Sequence, residues 1–345
     1  MPVAALVSFR LGGTDGVSIE SAKWRSALEE LGFEVVTAAG EGPVDHLVPG
    51  LAMAAETPPD RLEIERAIER ADVVVIENLC SLPLNPPAAE VVAQVCAGRP
   101  AILHHHDLAW QRPNLGSGAP PDDRAWRHVT INELSRRELA AHGIEATTIY
   151  NCFNTATPAG ERDDTRSALG VARNERLFLQ PTRALPRKNV SGGLALAHGL
   201  GATYWLLGPA EDGYGPELDR LFAGAEGRVL HGPPPSANPP RAADAYAACD
   251  VVLLPSTWEG FGNPALESAV HHRPLCIGQY PVARELAGFG FEWLPLDDPD
   301  LVDRWLASPD ASVLRHNWEV ADAHFSLRQL PGRLAEVLST LPISF

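Results

Sequence analysis

Two glutamates, Glu259 and Glu267, flank a glycine-containing segment that follows a short apolar run. The run, Val251–Leu254, fits a strand that is buried on both faces, and a Pro-Ser pair ends it. Asn263 is a suitable cap for a following helix, and Pro264 suits its first turn. A strand, a glycine loop and a helix N-terminus together offer free backbone N–H groups and a positive dipole end. This segment therefore predicts a site for an anion or for sugar hydroxyls.

A second candidate segment is the basic loop PTRALPRKN, which follows a predicted buried strand and contains Arg183 and Lys188. Only two lysines occur in the chain, and one of them lies in this loop. A planar guanidinium and a compact ammonium are both suited to stabilising the negative charge of a leaving diphosphate. We expect the side chains of Arg183 and Lys188 to be exposed in a cleft and Arg187, between them, to face solvent. The simpler interpretation is a solvated basic loop.

Three histidines and an aspartate, His104-His105-His106-Asp107, end another apolar strand. Side chains alternate along a strand, so His104 and His106 share one face while His105 takes the other. Three interpretations are open: a metal site formed by His104 and His106, joined at most by Asp107; a catalytic histidine; or a strand-end histidine bonded to a backbone carbonyl. The sequence offers no third metal ligand at a suitable spacing, and we predict no metal.

The stretch EGFGNPALE, after a strand ending in Pro-Ser, resembles the signature of the retaining glycosyltransferases of family 4, also called group 1. The resemblance implies a GT-B fold and transfer of a hexose from a nucleotide-diphosphate sugar to an acceptor hydroxyl, without a metal or another cofactor. By position, Glu259 would hold hydroxyls of the transferred sugar and Glu267 the ribose. Backbone amides of the loop would hold the sugar and the phosphates; the loop residues concerned are Phe261, Gly262 and Asn263.

The same resemblance assigns the remaining candidates. Arg183 and Lys188 would hold the leaving diphosphate, and His106 would lie near the reacting carbon of the donor, with Asp107 as an orienting neighbour or a turn residue. Trp110 could stack on an acceptor sugar or pack as an ordinary core residue. Near the N-terminus, LGGTDG follows the first strand. Its glycines would either approach the donor phosphates or form a tight turn that needs positive φ; they are Gly12 and Gly13.

Strands and helices alternate along the whole chain, which predicts an α/β protein with parallel sheets covered on both faces. We expect two Rossmann-like doubly wound domains facing across a cleft, residues 1–152 on the acceptor side and 153–324 on the nucleotide-sugar side. By the resemblance, residues 325–345 form a helix that crosses back to the first domain. The turn-rich linker at 150–158 matches the family pattern only partly. A dinucleotide fingerprint, GxGxxG, is absent, which disfavours an oxidoreductase.

Composition limits the partners. A formal net charge of −16 argues against nucleic acid, and no apolar run is long enough to span a membrane. Five scattered cysteines fit reduced thiols, and we expect a cytoplasmic protein with a small-molecule or glycan acceptor. The sequence leaves the donor, the acceptor and the oligomeric state open. A sugar-nucleotide epimerase and a non-catalytic sugar-nucleotide-binding protein are the alternative functions.

Overall fold

A computed structural model describes residues 1–112, 115–234 and 241–342. The chain forms two compact units, Met1–Cys152 with Leu327–Phe345 and Phe153–Ser326. The boundaries predicted from the sequence follow residues 152 and 324, and those of the structure follow residues 152 and 326. Most of the proline-rich tract 232–240 lies outside the described residues, as do the last three residues of the chain. None of the helices in the described part has the length and hydrophobicity that a membrane crossing requires.

The first unit contains a parallel sheet of seven strands in the order β3-β2-β1-β4-β5-β6-β7. Its strands are β1 (Val3–Arg10), β2 (Glu34–Glu41), β3 (His46–Leu47), β4 (Val73–Glu77), β5 (Ala101–His105), β6 (Trp126–Thr130) and β7 (Ala146–Thr148). Its helices before the linker are α1 (Gly16–Glu30), α2 (Arg61–Ala67), α3 (Pro86–Cys96) and α4 (Glu133–Ala141). Strands β2 and β3 are added on one side of β1 and strands β4 to β7 on the other, so the strand order reverses at β1 and the unit is doubly wound, as predicted.

The second unit repeats the pattern with six parallel strands in the order β10-β9-β8-β11-β12-β13. Its strands are β8 (Leu177–Gln180), β9 (Thr203–Leu206), β10 (Val229–His231), β11 (Val251–Leu254), β12 (Leu275–Ile277) and β13 (Leu294–Pro295). Its helices are α5 (Arg162–Ala168), α6 (Val190–Gly199), α7 (Gly215–Ala223), α8 (Ala242–Ala248), α9 (Asn263–Val270), α10 (Pro281–Ala287), α11 (Pro299–Ala307) and α12 (Ala311–Phe325).

The last helix, α13 (Leu330–Leu338), belongs to the first unit. Leu330 and Leu334 pack in the same apolar cluster as Trp24 and Leu28 of α1, on one face of the first sheet. Full burial of such side chains contributes about 1.5–3 kcal/mol each. The terminal segment therefore completes the core of the unit in which the chain begins.

One local prediction was wrong. The expected cap of α9 was Asn263, whereas Gly262 occupies the cap position with φ of 96°. A Cβ at Gly262 would lie 2.3 Å from the Tyr280 hydroxyl, so the turn needs glycine both for its φ and for space.

Candidate active site

The carboxylate of Glu259 lies between the loop after β8 and the N-terminal end of α9, and it is buried. Lys188 Nζ donates to both of its oxygens, at 2.5 and 2.7 Å. Ser256 Oγ donates to Oε1 at 2.6 Å, and Arg187 NH1 donates to Oε2 at 3.1 Å. A carboxylate has about four lone-pair sites. These four hydrogen bonds therefore satisfy Glu259 completely, and the strand-end serine holds the carboxylate toward the basic loop.

The charges of this cluster stabilise one another. Burial alone would raise the pKa of Glu259, but the charges of Lys188 and Arg187 and the hydrogen bonds from Lys188 and Ser256 outweigh it and lower the pKa. Burial also lowers the pKa of Lys188, and the Glu259 charge opposes that effect. The arrangement is an ionised carboxylate bound to two cations. It is suited to positioning charge rather than to donating a proton.

Two expectations about the basic loop were wrong. Arg187 does not simply face solvent, because its guanidinium bonds both Glu259 and the carbonyl of Trp258. Lys188 is buried, with only 8% of its surface exposed, although the diphosphate interpretation suggests an open side chain. The turn explains both observations: Pro186–Lys188 forms a 3₁₀ turn that ends at Asn189 in the left-handed region, which aims residues 187 and 188 at the loop after β11.

Arg183 lies outside this cluster. Its guanidinium pairs with Glu211 at 2.5 Å, and its side chain is about one-third exposed. The loops after β8 and β9 are in close contact here: a Cβ added at Gly208 would lie only 2.8 Å from the Arg183 backbone. The two predicted diphosphate cations thus differ in setting: Lys188 is buried and fixed, whereas Arg183 is accessible.

Glu267 lies one turn into α9 and borders a cavity of about 370 Å³ in the second unit. Tyr246 of α8 donates its hydroxyl to Glu267 Oε2 at 2.5 Å. The cavity is also bordered by Asn154, Arg241 and His271. Burial lowers the pKa of His271 to about 4, so this ring is neutral near pH 7. The cavity therefore combines one carboxylate, one guanidinium and neutral polar groups.

Phe261, between the two glutamates, is buried against the rings of Phe153 and Phe325. Its side chain anchors the glycine loop in the apolar interior of the second unit. If Phe261 takes part in donor binding, it does so through its backbone, as the resemblance implies.

In the first unit, the alternation predicted for the histidines is confirmed. Glu77 at the end of β4 accepts at Oε2 from His104 Nδ1, at 2.8 Å, and from His106 Nε2, at 2.9 Å, whereas His105 points to other partners. All of these groups are buried, and Trp24 stacks on His104. These three side chains could hold a metal ion, since their ligand atoms lie within 4.8 Å of one another.

Burial tends to raise the pKa of Glu77, but the charges and hydrogen bonds of His104 and His106 lower it to about 2. Burial would lower the pKa of His106; the hydrogen bond and charge of Glu77 more than compensate, so the His106 pKa is raised. The pKa of His104 is lowered because burial dominates. Sequence reasoning missed Glu77. The signal that could have found it is the parallel register, which sets Glu77 beside His104 on adjacent strands.

The candidate acceptor residues are occupied by contacts inside the first unit. Asp107 pairs with Arg112 at 2.7 Å, and its backbone N–H donates to Asn78 Oδ1. Trp110 stacks on His142 with ring centroids 4.2 Å apart and donates its indole N–H to Glu138. Packing as an ordinary core residue therefore describes the position of Trp110 at least as well as stacking on an acceptor sugar.

Gly12 and Gly13 follow β1 as predicted. Gly12 has φ of 74°, and a Cβ there would lie 2.6 Å from the ring of Pro43. Gly13 is close to Asp15, which caps α1 by accepting from the Ser18 N–H. The tight-turn requirement is thus met at Gly12, and donor contact by either glycine stays a prediction.

No family model matches the sequence. Among curated proteins, it is similar to the mannosylglucosylglycerate synthase of Petrotoga mobilis, at 26% identity over 84% of this chain and 86% of that protein. The mannosylglucosylglycerate synthase of Thermotoga maritima is 24% identical over 97% of this chain and 99% of that protein. Among solved structures, Anabaena HepE in complex with UDP and glucose has a TM-score of 0.76 at 18% identity, covering 98% of this chain and all of HepE.

Two doubly wound parallel-sheet units, together with these relatives, define the class of the protein as a glycosyltransferase of GT-B fold. The EGFGNPALE stretch resembles the signature of the group 1, or family 4, glycosyltransferases, and the similarity to the two curated relatives is consistent with that resemblance.

Proposed function

We propose that this enzyme transfers a hexose from a nucleotide-diphosphate sugar to an acceptor hydroxyl with retention of anomeric configuration, and that it needs no metal. The observation that carries the proposal is the ionised Glu259 carboxylate, bound by Lys188, Arg187 and Ser256 at the N-terminal end of α9. Cations and a helix N-terminus at one point are suited to stabilising the charge of a departing diphosphate.

In this proposal, Lys188, Arg183 and Glu259 have separate roles. An ammonium has three N–H donors, and the contacts of Lys188 with Glu259 use two, so one donor is available for a phosphate oxygen. The accessible guanidinium of Arg183 supplies a second cation for the diphosphate. Glu259 fixes Lys188 and Arg187, and a sugar hydroxyl that binds it replaces one of its present donors. A carboxylate so fully bonded is a positioning group rather than a nucleophile, and a leaving phosphate oxygen takes the proton of the acceptor.

Other roles follow from position. Glu267 is proposed to hold the ribose, the backbone of Gly262–Asn263 the sugar and phosphates, and His106 a donor hydroxyl near the reacting carbon. The relatives support a hexose donor and a small acceptor, because their name describes a glycerate that carries mannosyl and glucosyl groups. HepE was solved with UDP-glucose, which favours a uridine nucleotide in the first assay.

A thermal-shift panel of UDP-, GDP- and ADP-hexoses tests the proposal. A ligand at 100 times its dissociation constant adds about 2.7 kcal/mol of stability, which is a readily measured rise in Tm. The stabilising donor is then incubated with glycerate glycosides, and NMR of the product reports its anomeric configuration. An inverted product would remove the retaining assignment. Nucleotide release without any acceptor would favour the epimerase instead, and no stabilisation by any sugar nucleotide would contradict the proposal itself.

A further inference from the structure

Four polar side chains of the first unit form a continuous hydrogen-bonded chain on the side of β5 that His105 faces. Ser81 Oγ lies 2.6 Å from His105 Nδ1, and His105 Nε2 lies 2.9 Å from His128 Nδ1. His128 Nε2 lies 3.1 Å from Asp122 Oδ1. Ser81 and both histidines are buried, whereas the Asp122 side chain is 56% exposed. The chain therefore joins a buried hydroxyl to a carboxylate in contact with solvent, and glycosyl transfer as proposed makes no use of it.

The two imidazole rings are coplanar and bonded edge to edge. Their centroids are 5.1 Å apart with an interplanar angle of 1°, and the nitrogen–nitrogen distance is 2.9 Å. In this geometry the N–H of one ring points along the lone pair of the other, which is the favourable direction for a hydrogen bond. The rings thus form a linear connection between Ser81 and Asp122.

The carboxylate at one end fixes the direction of every hydrogen bond in the chain. An ionised Asp122 only accepts, so His128 carries its proton on Nε2 and accepts at Nδ1. His105 then donates from Nε2 and accepts at Nδ1, so the Ser81 hydroxyl donates. The His128 ring is neutral near pH 7, because burial lowers its pKa. Ser81 is consequently a hydroxyl whose proton points at His105, a base that a carboxylate orients through a second histidine, which extends the relation that activates serine nucleophiles.

Ser81 also borders a cavity of about 220 Å³ in the first unit. Most of the other bordering groups are apolar, among them Leu82, Pro83, Pro86, Ala89, Ala109 and Leu115. Cavities that hold drug-sized ligands measure roughly 300–1,000 Å³. This cavity is therefore too small for a nucleotide sugar and suits a short apolar acyl group.

We propose that Ser81 is the nucleophile of a second site in this protein, which cleaves small apolar acyl esters. Ser81 Oγ attacks the ester carbonyl carbon, and its proton moves to His105 Nδ1. The ester C–O bond breaks, the departing alkoxide takes that proton, and an acyl-Ser81 ester is left. Water then attacks the acyl-serine, gives a proton through His105 to Ser81 Oγ, and releases the carboxylic acid. The sum is ester plus water giving acid plus alcohol.

In this scheme, His128 carries the positive charge that would otherwise stay on His105. A positive charge on fully buried His105 is costly, since it lies away from solvent and from any carboxylate in direct contact. When His105 accepts the serine proton at Nδ1, its Nε2 proton can pass to His128. The charge then lies beside Asp122, where a carboxylate and solvent stabilise it.

The test uses the full-length protein and a fluorophosphonate probe, which phosphonylates activated serines, together with hydrolysis of p-nitrophenyl acetate and butyrate. We expect peptide mass spectrometry to place the label on Ser81 and Ser81→Ala to abolish labelling and hydrolysis. Ser21→Ala is the matched control, because Ser21 is equally buried but its hydroxyl donates to a backbone carbonyl. Absence of a Ser81 label on the wild-type protein would overturn the proposal.

Asp122→Asn gives the sharper test, since the side chain is exposed and the fold should be unaffected. An asparagine amide can donate to His128 Nε2, which reverses every bond and makes Ser81 an acceptor. We expect labelling to slow roughly a hundredfold or more, as in serine proteases with this change.

Nitrogen-15 NMR should show Nε2–H tautomers of His105 and His128 in the wild type. An Nδ1–H tautomer of His105 in the wild type, or undiminished labelling of Asp122→Asn, would contradict the proposal. These readouts use no nucleotide sugar, so they are independent of the donor panel.

Discussion

The Glu259 cluster of the second unit and the Glu77 cluster of the first unit both surround a buried carboxylate with basic groups. Glu259 receives four hydrogen bonds from two cations and a serine, spread over both oxygens. Glu77 receives two bonds at one oxygen, and within the described residues its Oε1 has no hydrogen-bond partner. The first cluster carries permanent cations, whereas the second depends on the protonation of histidine.

The two clusters should therefore respond differently to pH and to mutation. Arginine stays charged over the whole working pH range, and the Glu259 charge opposes the effect of burial on the Lys188 pKa, so the Glu259 cluster should respond less to pH than to mutation. The histidine cluster changes charge near neutrality, so pH should affect it directly.

The largest effect is expected for Lys188→Ala. Transfer should fall by roughly a hundredfold to a thousandfold, since a cation for the diphosphate is lost. Stability should also fall, by about 3 kcal/mol, because breaking a buried pair leaves a poorly compensated carboxylate. Turnover and urea denaturation are the measurements.

Arg183→Ala is the matched comparison for that change. Its side chain is one-third exposed and pairs with Glu211 near the surface, so transfer should fall while stability changes by less than about 1 kcal/mol. Arg173→Ala, whose side chain is 84% exposed, is the neutral control. Equal stabilities of the Lys188 and Arg183 variants would show that burial does not distinguish the two cations.

Replacing Glu259 and replacing Glu267 should affect ligand binding in different ways. Glu267→Ala should weaken free nucleotide and intact donor alike, by about 1.5–3 kcal/mol, because charge-assisted bonds to a ribose are lost. Glu259→Ala should spare free nucleotide, which has no hexose, and reduce transfer, because the reacting carbon of the donor is misplaced. Calorimetry of both ligands with both variants separates the roles. If the two variants lose free nucleotide equally, the assignment of ribose to Glu267 alone is wrong.

Stability of the first unit should depend on the ionisation of Glu77. Its pKa in the folded protein is about 2, below its ordinary value of 4.5, so its stabilisation is complete above pH 4.5 and is lost as pH falls toward 2. That loss amounts to roughly 3 kcal/mol. The His106 pKa is raised, so its contribution is complete below its ordinary value of 6.5 and is lost as pH rises through the raised value.

Denaturation as a function of pH checks this prediction. Glu77→Gln should lose the acid-side dependence and be less stable than the wild type at pH 7. Glu63→Gln, a change at an exposed residue of α2, should keep the wild-type profile. A wild-type profile that matches that of Glu77→Gln below pH 4.5 would place the acid sensitivity elsewhere.

The smallest effect is expected from EDTA, which should leave transfer unchanged because Lys188, Arg183 and the α9 N-terminus supply the positive charge. Turnover before and after chelation is the measurement. Loss of activity that Zn²⁺ or Mn²⁺ restores would instead assign a metal to the cluster of Glu77, His104 and His106, and it would overturn the metal-free proposal.

Features that lie within a few residues of one another could be predicted from the sequence. The buried run of β11, the glycine turn and the start of α9 depend on local propensity and spacing, and the structure has all three. The opposite faces of His104 and His105 follow from the two-residue period of a strand. Glu259, Lys188 and Arg183 were identified as candidates for the same reason, since each lies at the end of a recognisable buried strand.

Partners far apart in the chain were decided only by the tertiary structure. Lys188 and Arg187 reach Glu259 across 71 and 72 residues, and Glu77 meets His104 and His106 across 27 and 29. Such contacts depend on strand order and register, because a shift of one residue turns every side chain of a strand to the other face. The sequence therefore determined which groups are present at each strand end, and packing of the sheets determined that Lys188 is buried and which carboxylate it meets.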